Sequence, residues 1–266
     1  RERERGGNPP MSPMSPFQKL PITCVFLLLV VVLSGAQQPY QNNKQLDCSG
    51  TSSSSTLGYS CSHAGDGPPT CPSFLVFRSQ TDYQTPDTIG HLLNADPHAI
   101  TRFKAVTDVV DPIPLDTLVL VPVDCSCSAG GRYYQHDASY TLERTGETYF
   151  SIANDTYQGL TTCQALMDQN PSHDSRDLSE GTRLSVPLRC ACPSKTQQAA
   201  GFRYLLSYLV TWGDDVPAIA ARFGIDPQAV LRANTLSAGD TIYPFTTLLV
   251  PLSAQPHQRL RRSFSP

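Results

Sequence analysis

Charge is scarce in this sequence. Asp, Glu, Lys and Arg make up 16% of 266 residues, and the 20 basic groups are outnumbered by 23 acidic ones. That balance excludes nucleic acid as the main partner, because holding phosphates takes a basic surface. Past position 36 no apolar run reaches the roughly 18 residues of a membrane-crossing helix. The closing stretch QPHQRLRRSFSP is polar and basic, so it is not a glycolipid-anchor signal. The six histidines are scattered without metal-ligand spacing, and no nucleophile motif stands among them. Tryptophan occurs once, at Trp212. Apolar residues reach 39%, which is too many for a disordered acidic chain and too few for a membrane protein throughout.

One apolar stretch is present, near the start. PITCVFLLLVVVLSGA has a short core from Ile22 to Leu33, the small residues Ser34, Gly35 and Ala36 after it, and Lys19 before it. This is a secretory signal pattern. Translation from Met14 gives a cleaner signal than the longer start. Residues 1–36 hold four basic and two acidic groups, so the remainder carries 16 against 21, a net charge of −5. Cleavage after Ala36 also removes Cys24 and leaves eight cysteines, an even number that fits a disulfide framework in an oxidising compartment.

Four of those cysteines come as two Cys-x-Cys pairs, Cys125/Cys127 and Cys190/Cys192, each just after an apolar strand containing Val-Pro. Structural zinc sites space their ligands two to four residues apart, and redox pairs keep two residues between the sulfurs. Cys-x-Cys is tighter than either, so disulfides are expected, with no metal and no cofactor. Positions i and i+2 of an extended chain point the same way, so each pair can reach a shared neighbour. Spacing does not choose among the more than one hundred pairings that eight cysteines allow.

The Val-Pro strands expose a repeat. They are LVLVPV at 118–123, LSVPL at 184–188 and LLVPL at 248–252. Ile89, Ile152 and Ile219 precede their prolines by 33, 35 and 32 residues. Each isoleucine lies near a helix start: DTIGHLL, TYFSIAND or DVPAIAARF. Before each helix is an extended run, FLVFRS, SYTLER or YLLSYLVT; a second helical pattern follows, DPHAITRFK, TCQALMDQN or DPQAVLRAN. Asp96-Pro97 and Asp226-Pro227 read as a cap followed by a first helical turn. The unit is strand, helix, helix, strand in about fifty residues, too small to bury much apolar surface without staples or neighbours.

The middle unit, with its Gly146-Glu147-Thr148 turn, Ile152-Ala153 helix, Asn170-Pro171 and Val186-Pro187 ending, resembles a LysM domain. Three such units joined by Cys-x-Cys spacers resemble the ectodomain of plant LysM receptor-like kinases. The stretches QQPYQNN, ETYFSIANDTYQ and VPLRCACPS are similar to the chitin-receptor group whose kinase is degenerate. The resemblance covers about 37–252; a kinase and a membrane span are not encoded here. The expected fold is α+β, three βααβ modules packed in one disulfide-stapled body. The expected divisions are 1–36 extension and signal, 37–73 N-terminal segment, 74–124, 132–189 and 202–253 modules, and 254–266 tail. The resemblance implies the bridges Cys61–Cys127, Cys71–Cys192 and Cys125–Cys190, which leaves Cys48 for Cys163.

The resemblance also implies a ligand site. LysM domains take N-acetylglucosamine oligomers in a shallow groove between the loop after the first strand and the loop before the last. In the middle unit these loops are Thr145, Gly146, Glu147, Thr148, Tyr149, Phe150 and Ser151, and His173, Asp174, Ser175, Arg176, Asp177, Leu178 and Ser179. Backbone groups and small hydroxyls suit N-acetyl amides, and Tyr149 or Phe150 could pack on a methyl or a sugar face. Taken singly, Gly146 and Thr148 also suit a turn and a cap, and Tyr149 or Phe150 a core position. In the third unit Trp212, at the loop position matching Thr145, is a stacking candidate and equally suits packing against a neighbouring unit. Asn154-Asp155-Thr156 is an N-glycosylation acceptor, whereas Asn170-Pro171-Ser172 is spoiled by its proline.

A glycan hydrolase needs two carboxylates facing across a cleft, and Glu143, Glu147, Asp155, Asp174 and Asp177 lie in or near the middle unit. Such residues more often form a solvated face, so binding is expected rather than catalysis. A wall-structural protein and a receptor for lipo-chitooligosaccharide are the other readings. The expected partners are a chitin oligosaccharide and a co-receptor LysM kinase, outside the cell, with the membrane reached only through a span missing from this chain.

Overall fold

The computed structural model of the chain describes residues 38–48, 54–61, 67–103, 106–128 and 131–256. The expected signal segment and residues 257–266 of the tail lie outside the described residues. An N-terminal segment contains a 3-10 turn Asn42–Leu46, a short helix α1 (Ser54–Leu57) and β1 (Tyr59–Ser60). Three strand–helix–helix–strand modules follow. The first is β2 (Thr70–Arg78), α2 (Pro86–Leu93), α3 (Pro97–Thr101) and β3 (Leu118–Cys127). The second is β4 (Tyr133–Thr141), α4 (Tyr149–Ser151) running into a π-helical turn Ile152–Thr156, α5 (Cys163–Gln169) and β5 (Arg183–Arg189). A linker helix α6 (Lys195–Ala199) leads to the third: β6 (Tyr204–Leu209), α7 (Val216–Phe223), α8 (Pro227–Ala233) and β7 (Thr247–Leu252).

The same local chemistry starts each helix pair. Thr85, Thr148 and Asp215 cap the first helices, each accepting from a backbone N–H three residues on. Asp96, Thr162 and Asp226 cap the second helices. Each such cap contributes about 1 kcal/mol. Four residues after each first cap stand Ile89, Ile152 and Ile219, all at 0% exposure. Full burial of such a side chain contributes roughly 1.5–3 kcal/mol.

The modules do not keep separate sheets. The described strands join in the order β1-β4-β3-β2-β6-β7, with β5 branching from β4. Within each module the two strands pair antiparallel, but β2 pairs with β6 in parallel, Phe74 opposite Leu206 and Leu75 opposite Ser207. The pair β2–β3 is therefore covered on both faces. Leu75, Phe77, Val119 and Val121 enter a core shared with the second module, whereas Phe74, Val76, Leu118 and Leu120 enter a core shared with the third. Burial on both faces explains why FLVF and LVLV are continuous apolar runs instead of alternating ones. Three small modules thus make two cores, which answers the shortage of buried surface in a fifty-residue unit.

Buried polar side chains lock the final strands. Asn234 donates to the carbonyls of Val230 (2.8 Å) and Leu249 (2.7 Å) and accepts the Leu249 N–H (2.8 Å), tying α8 to β7. Asn170 repeats this between α5 and β5, through Leu166 and Ser185. At the joint of the first two modules, the His136 ring on β4 lies 2.8 Å from the Asp124 carbonyl and 3.0 Å from that of Asn94. Beside it, the Asn94 amide donates to the Asp137 carbonyl at 2.8 Å.

Four disulfides staple this body: Cys48–Cys163, Cys61–Cys127, Cys71–Cys192 and Cys125–Cys190. Cys71 and Cys125 face each other in the β2–β3 register, yet each bonds to the distant Cys190/Cys192 pair. The bridges span 65 to 121 residues, and each contributes about 4 kcal/mol in the chain-entropy model. The N-terminal segment is held by more than its two bridges. Tyr40 pairs with Asn234 and Thr246 of the third module, and β1 adds to β4. Arg189, 1% exposed, sits at the same junction, over the Tyr59 ring and bonded to Thr56 and Thr247.

Candidate functional site

Both loops expected to form the groove leave the same end of the β4–β5 pair. Leu142 N–H donates to the Thr182 carbonyl and Gly181 N–H donates back to Leu142, both at 2.9 Å. One residue thus opposes two, which is a β-bulge, and Gly181 takes the left-handed φ of 82° that such a bulge requires. The bulge recurs in the other modules, with Ser79 opposite Asp116/Thr117 and Val210 opposite Phe245/Thr246. Asp116 and Phe245 also have positive φ, 62° and 61°. Each module therefore opens its strand pair at an equivalent point.

The first loop, 145–151, is organised by one carboxylate. Glu147 accepts from the Tyr140 hydroxyl (2.5 Å), the Glu143 N–H (2.8 Å) and the Arg144 N–H (3.0 Å). Thr148 caps α4 in a reciprocal box with Ser151. Tyr149 is 2% exposed and belongs to the core, and burial raises its phenol pKa. Of the two rings considered for a ligand, Phe150 faces solvent, at 50% exposure. Thr145 and Gly146 are exposed, and the space around Gly146 is open. Glu147, Thr148, Tyr149 and Ser151 thus shape the loop, while Thr145, Gly146 and Phe150 present its surface.

The second loop, 173–179, is held at its root. His173 N–H donates to the Asn170 carbonyl at 3.1 Å, and the Asp174 carboxylate accepts from Arg176 N–H at 2.9 Å. Leu178 packs against the core, and Ser179 pairs with Thr182. His173, Asp174, Ser175, Arg176, Asp177 and Ser179 are exposed. Asn154 sits half-buried in the π-helical turn.

The first module lies beside the first loop. Asp82 and Arg144 form an exposed ion pair at 3.1 Å. Tyr83 lies beside Glu143, Asp82 and Glu147, and burial, aided by these carboxylates, pushes its phenol up to about 12. Tyr140 is raised by burial and then by its bond to Glu147. The exposed large hydrophobic residues, Val110, Leu115, Phe150, Trp212 and Phe245, all stand in inter-element loops or, for Phe150, in the single turn of α4. A cavity of about 320 Å³ lies elsewhere, where Phe74, Asp96, Arg102 and His136 meet; both nitrogens of His136 are already engaged there. Among the described residues no group of three or more His, Cys, Asp or Glu could hold a metal ion.

Comparison with known proteins gives each module its own match. The model of the NFP/LYK LysM1 domain matches residues 70–128, that of the LYK3/4/5 LysM2 domain 133–189, and that of the LYK4/5 LysM3 domain 204–252. The chain belongs to the LysM ectodomains of plant receptor-like kinases. It is similar to Protein LYK5 of Arabidopsis thaliana, 46% identical over 87% of this chain and 35% of that protein. LysM domain-containing GPI-anchored protein 3 of Arabidopsis thaliana is 31% identical over 70% of this chain and 44% of that protein. The LysM chain described here therefore spans less than half the length of these relatives. The LYK3 ectodomain crystal structure shares the fold, with a TM-score of 0.57 and 20% identity over 68% of this chain and 89% of that one. The crystal structure of the ectodomain of a receptor like kinase is similar, at 0.56 and 23% over 70% and 92%.

Several elements of the site were not foreseen from sequence. Glu147 appeared as a loop residue, but its role rests on Tyr140, seven positions earlier on the preceding strand. A carboxylate near the end of a turn whose strand carries a tyrosine is a usable signal, since Asp214 repeats it with Tyr208. The LysM bulges left no pattern, because Asp116, Gly181 and Phe245 share only a backbone angle.

Proposed function

We propose that this chain binds N-acetylglucosamine oligomers of chitin in the second LysM module and passes that event to a co-receptor LysM kinase at the cell surface. The observation that carries the reading is the bulge at Leu142 and Gly181/Thr182. It starts both loops from one strand end, with Glu147 and Asn170 bonded near their roots. A shallow polar groove of this kind arrives preorganised, so little conformational entropy is lost on binding. Thr145, Gly146, the exposed backbone of 173–177 and Ser179 supply donors and acceptors for N-acetyl amides; Phe150 supplies an apolar face. The carboxylates Glu147 and Asp174 are engaged by their own loops, and the function is binding, not hydrolysis. Asn154 carries an N-linked glycan.

Calorimetry of the folded, oxidised protein with chitin oligomers of increasing length tests this. Saturable heat that grows with length is expected, insensitive to chelators. Folded protein that gives no heat with any oligomer refutes the reading, and release of shorter sugars replaces it with hydrolysis.

A further inference from the structure

The segment that carries the first loop of the second module is fastened to the first module at both of its ends. Before the loop, the Arg144 guanidinium donates to the Asp82 carboxylate at 3.1 Å. After α4 and the π-helical turn, the Gln80 amide donates to the Thr156 carbonyl at 3.1 Å. Two residues on, the Gln158 amide donates to the Gln80 side-chain oxygen at 3.0 Å. The same amide donates to the Arg78 carbonyl (2.6 Å), and its oxygen accepts the Arg78 N–H (3.0 Å). Gln158, 8% exposed, thus takes the place of a strand neighbour at the end of β2. Between these two, the buried Tyr157 hydroxyl donates to the Leu92 carbonyl of α2 at 3.3 Å.

The surface that grips the segment is a closed turn. Gln80 and Tyr83 exchange backbone bonds at 3.2 and 2.8 Å, with Thr81 and Asp82 at the tip. The backbone of Gln80 is thereby fixed, and its side chain spends both ends of its amide on the second module. Residues 144–158 are bracketed by this one turn. Holding both ends of a loop removes conformations it would otherwise sample when free, and that entropy is then not lost on binding.

We propose that Gln80 and Asp82 of the first module are positioning residues for ligand binding by the second, so that the first loop of the groove is held in its binding shape from outside its own module. The proposal rests on the saccharide reading of the second module. It gives neither residue a contact with the ligand; both act through the segment they hold. Gln80 carries more of the effect, because its bonds are part-buried. The Asp82–Arg144 pair is exposed on both sides, and such pairs contribute little. The pair is useful as a reporter instead. An N-acetylglucosamine oligomer is neutral, so salt reaches its affinity through charges of the protein itself.

Calorimetry of the oxidised protein with a chitin hexamer tests this, at low salt and at about 0.5 M sodium chloride. Q80A should weaken hexamer binding about three- to tenfold and D82A about twofold. Raising the salt should weaken the wild type about twofold and leave D82A unchanged. Asn234→Ala, which acts on the third module away from this segment, should keep wild-type affinity at a temperature where circular dichroism shows every variant folded. That control separates positioning from general stability. Folded Q80A with wild-type affinity overturns the proposal and leaves the groove standing. Equal weakening in Q80A and Asn234→Ala makes the effect one of stability and also overturns it. Should Q80A not fold, the wild type and D82A carry the test, and identical affinities at both salt concentrations overturn the proposal. Absence of heat with the wild type overturns groove and positioning together.

Discussion

Replacing Asn234 with alanine should destabilise the protein by about 3 kcal/mol, whereas the same change at Asn170 should cost about 1 kcal/mol. The two side chains make the same set of bonds, so the difference comes from what is left behind. Asn234→Ala removes the partners of both the N–H and the C=O of Leu249, a residue at 0% exposure whose bonds to Asn234 are buried. An orphaned buried polar group costs about 1–3 kcal/mol, and two of them near the lower half of that range give the total. Asn170→Ala frees the corresponding groups of Ser185, which is exposed, so water replaces the lost partner. For a body of this size 1 kcal/mol moves the melting temperature by about 2–4 °C, so the expected losses are about 6–12 °C and 2–4 °C. Scanning calorimetry on the oxidised variants reads both. Equal losses, or a larger loss at Asn170, would refute the reasoning.

Gly159→Ala brings a Cβ to 2.1 Å from the Phe245 carbonyl oxygen at a residue with φ 94°. It should cost about 3 kcal/mol or more in urea denaturation, since neither backbone can give way cheaply; a loss under about 0.5 kcal/mol would contradict the close approach. Glu147→Ala removes three bonds from the first loop, and should lower stability by about 1–2 kcal/mol and chitin-oligomer affinity about tenfold, with Glu147→Gln recovering part of both. Unchanged calorimetric affinity in the alanine variant would remove that loop from the site. Tyr83 is pushed from its ordinary value of 10.0 up to about 12, and Tyr140, Tyr157 and Tyr208 are also raised, with burial the leading cause in each. The unfolded chain therefore releases these protons first. Their stabilising contribution is full below about pH 10 and is lost as pH climbs through about 12. Denaturation midpoints measured across that window should fall, and a rise would overturn the assignment.

Much of this organisation was legible in the residues. The three Val-Pro strands, the spacing to Ile89, Ile152 and Ile219, and the caps Asp96 and Asp226 are local signals, and local backbone preferences suffice to read them. The even cysteine count marked a disulfide framework, and the resemblance to LysM domains singled out the two loops of the second module. The choice between Tyr149 and Phe150 was not legible. A helix of three residues is too short to show a periodic face, so only the packing around it could bury one ring and expose the other.

What the sequence alone determined is the repeated unit, its number and its chemistry at each helix start, because these depend on contacts within a few residues. The tertiary structure decided how the units meet. The parallel contact of β2 with β6 joins residues 132 positions apart and the wedge of Gly159 against Phe245 joins residues 86 apart, and these, with the double covering of β2–β3, are set by shape rather than by pattern. No sequence period records such contacts. They are what turns three marginal modules into one body and holds each loop end in place.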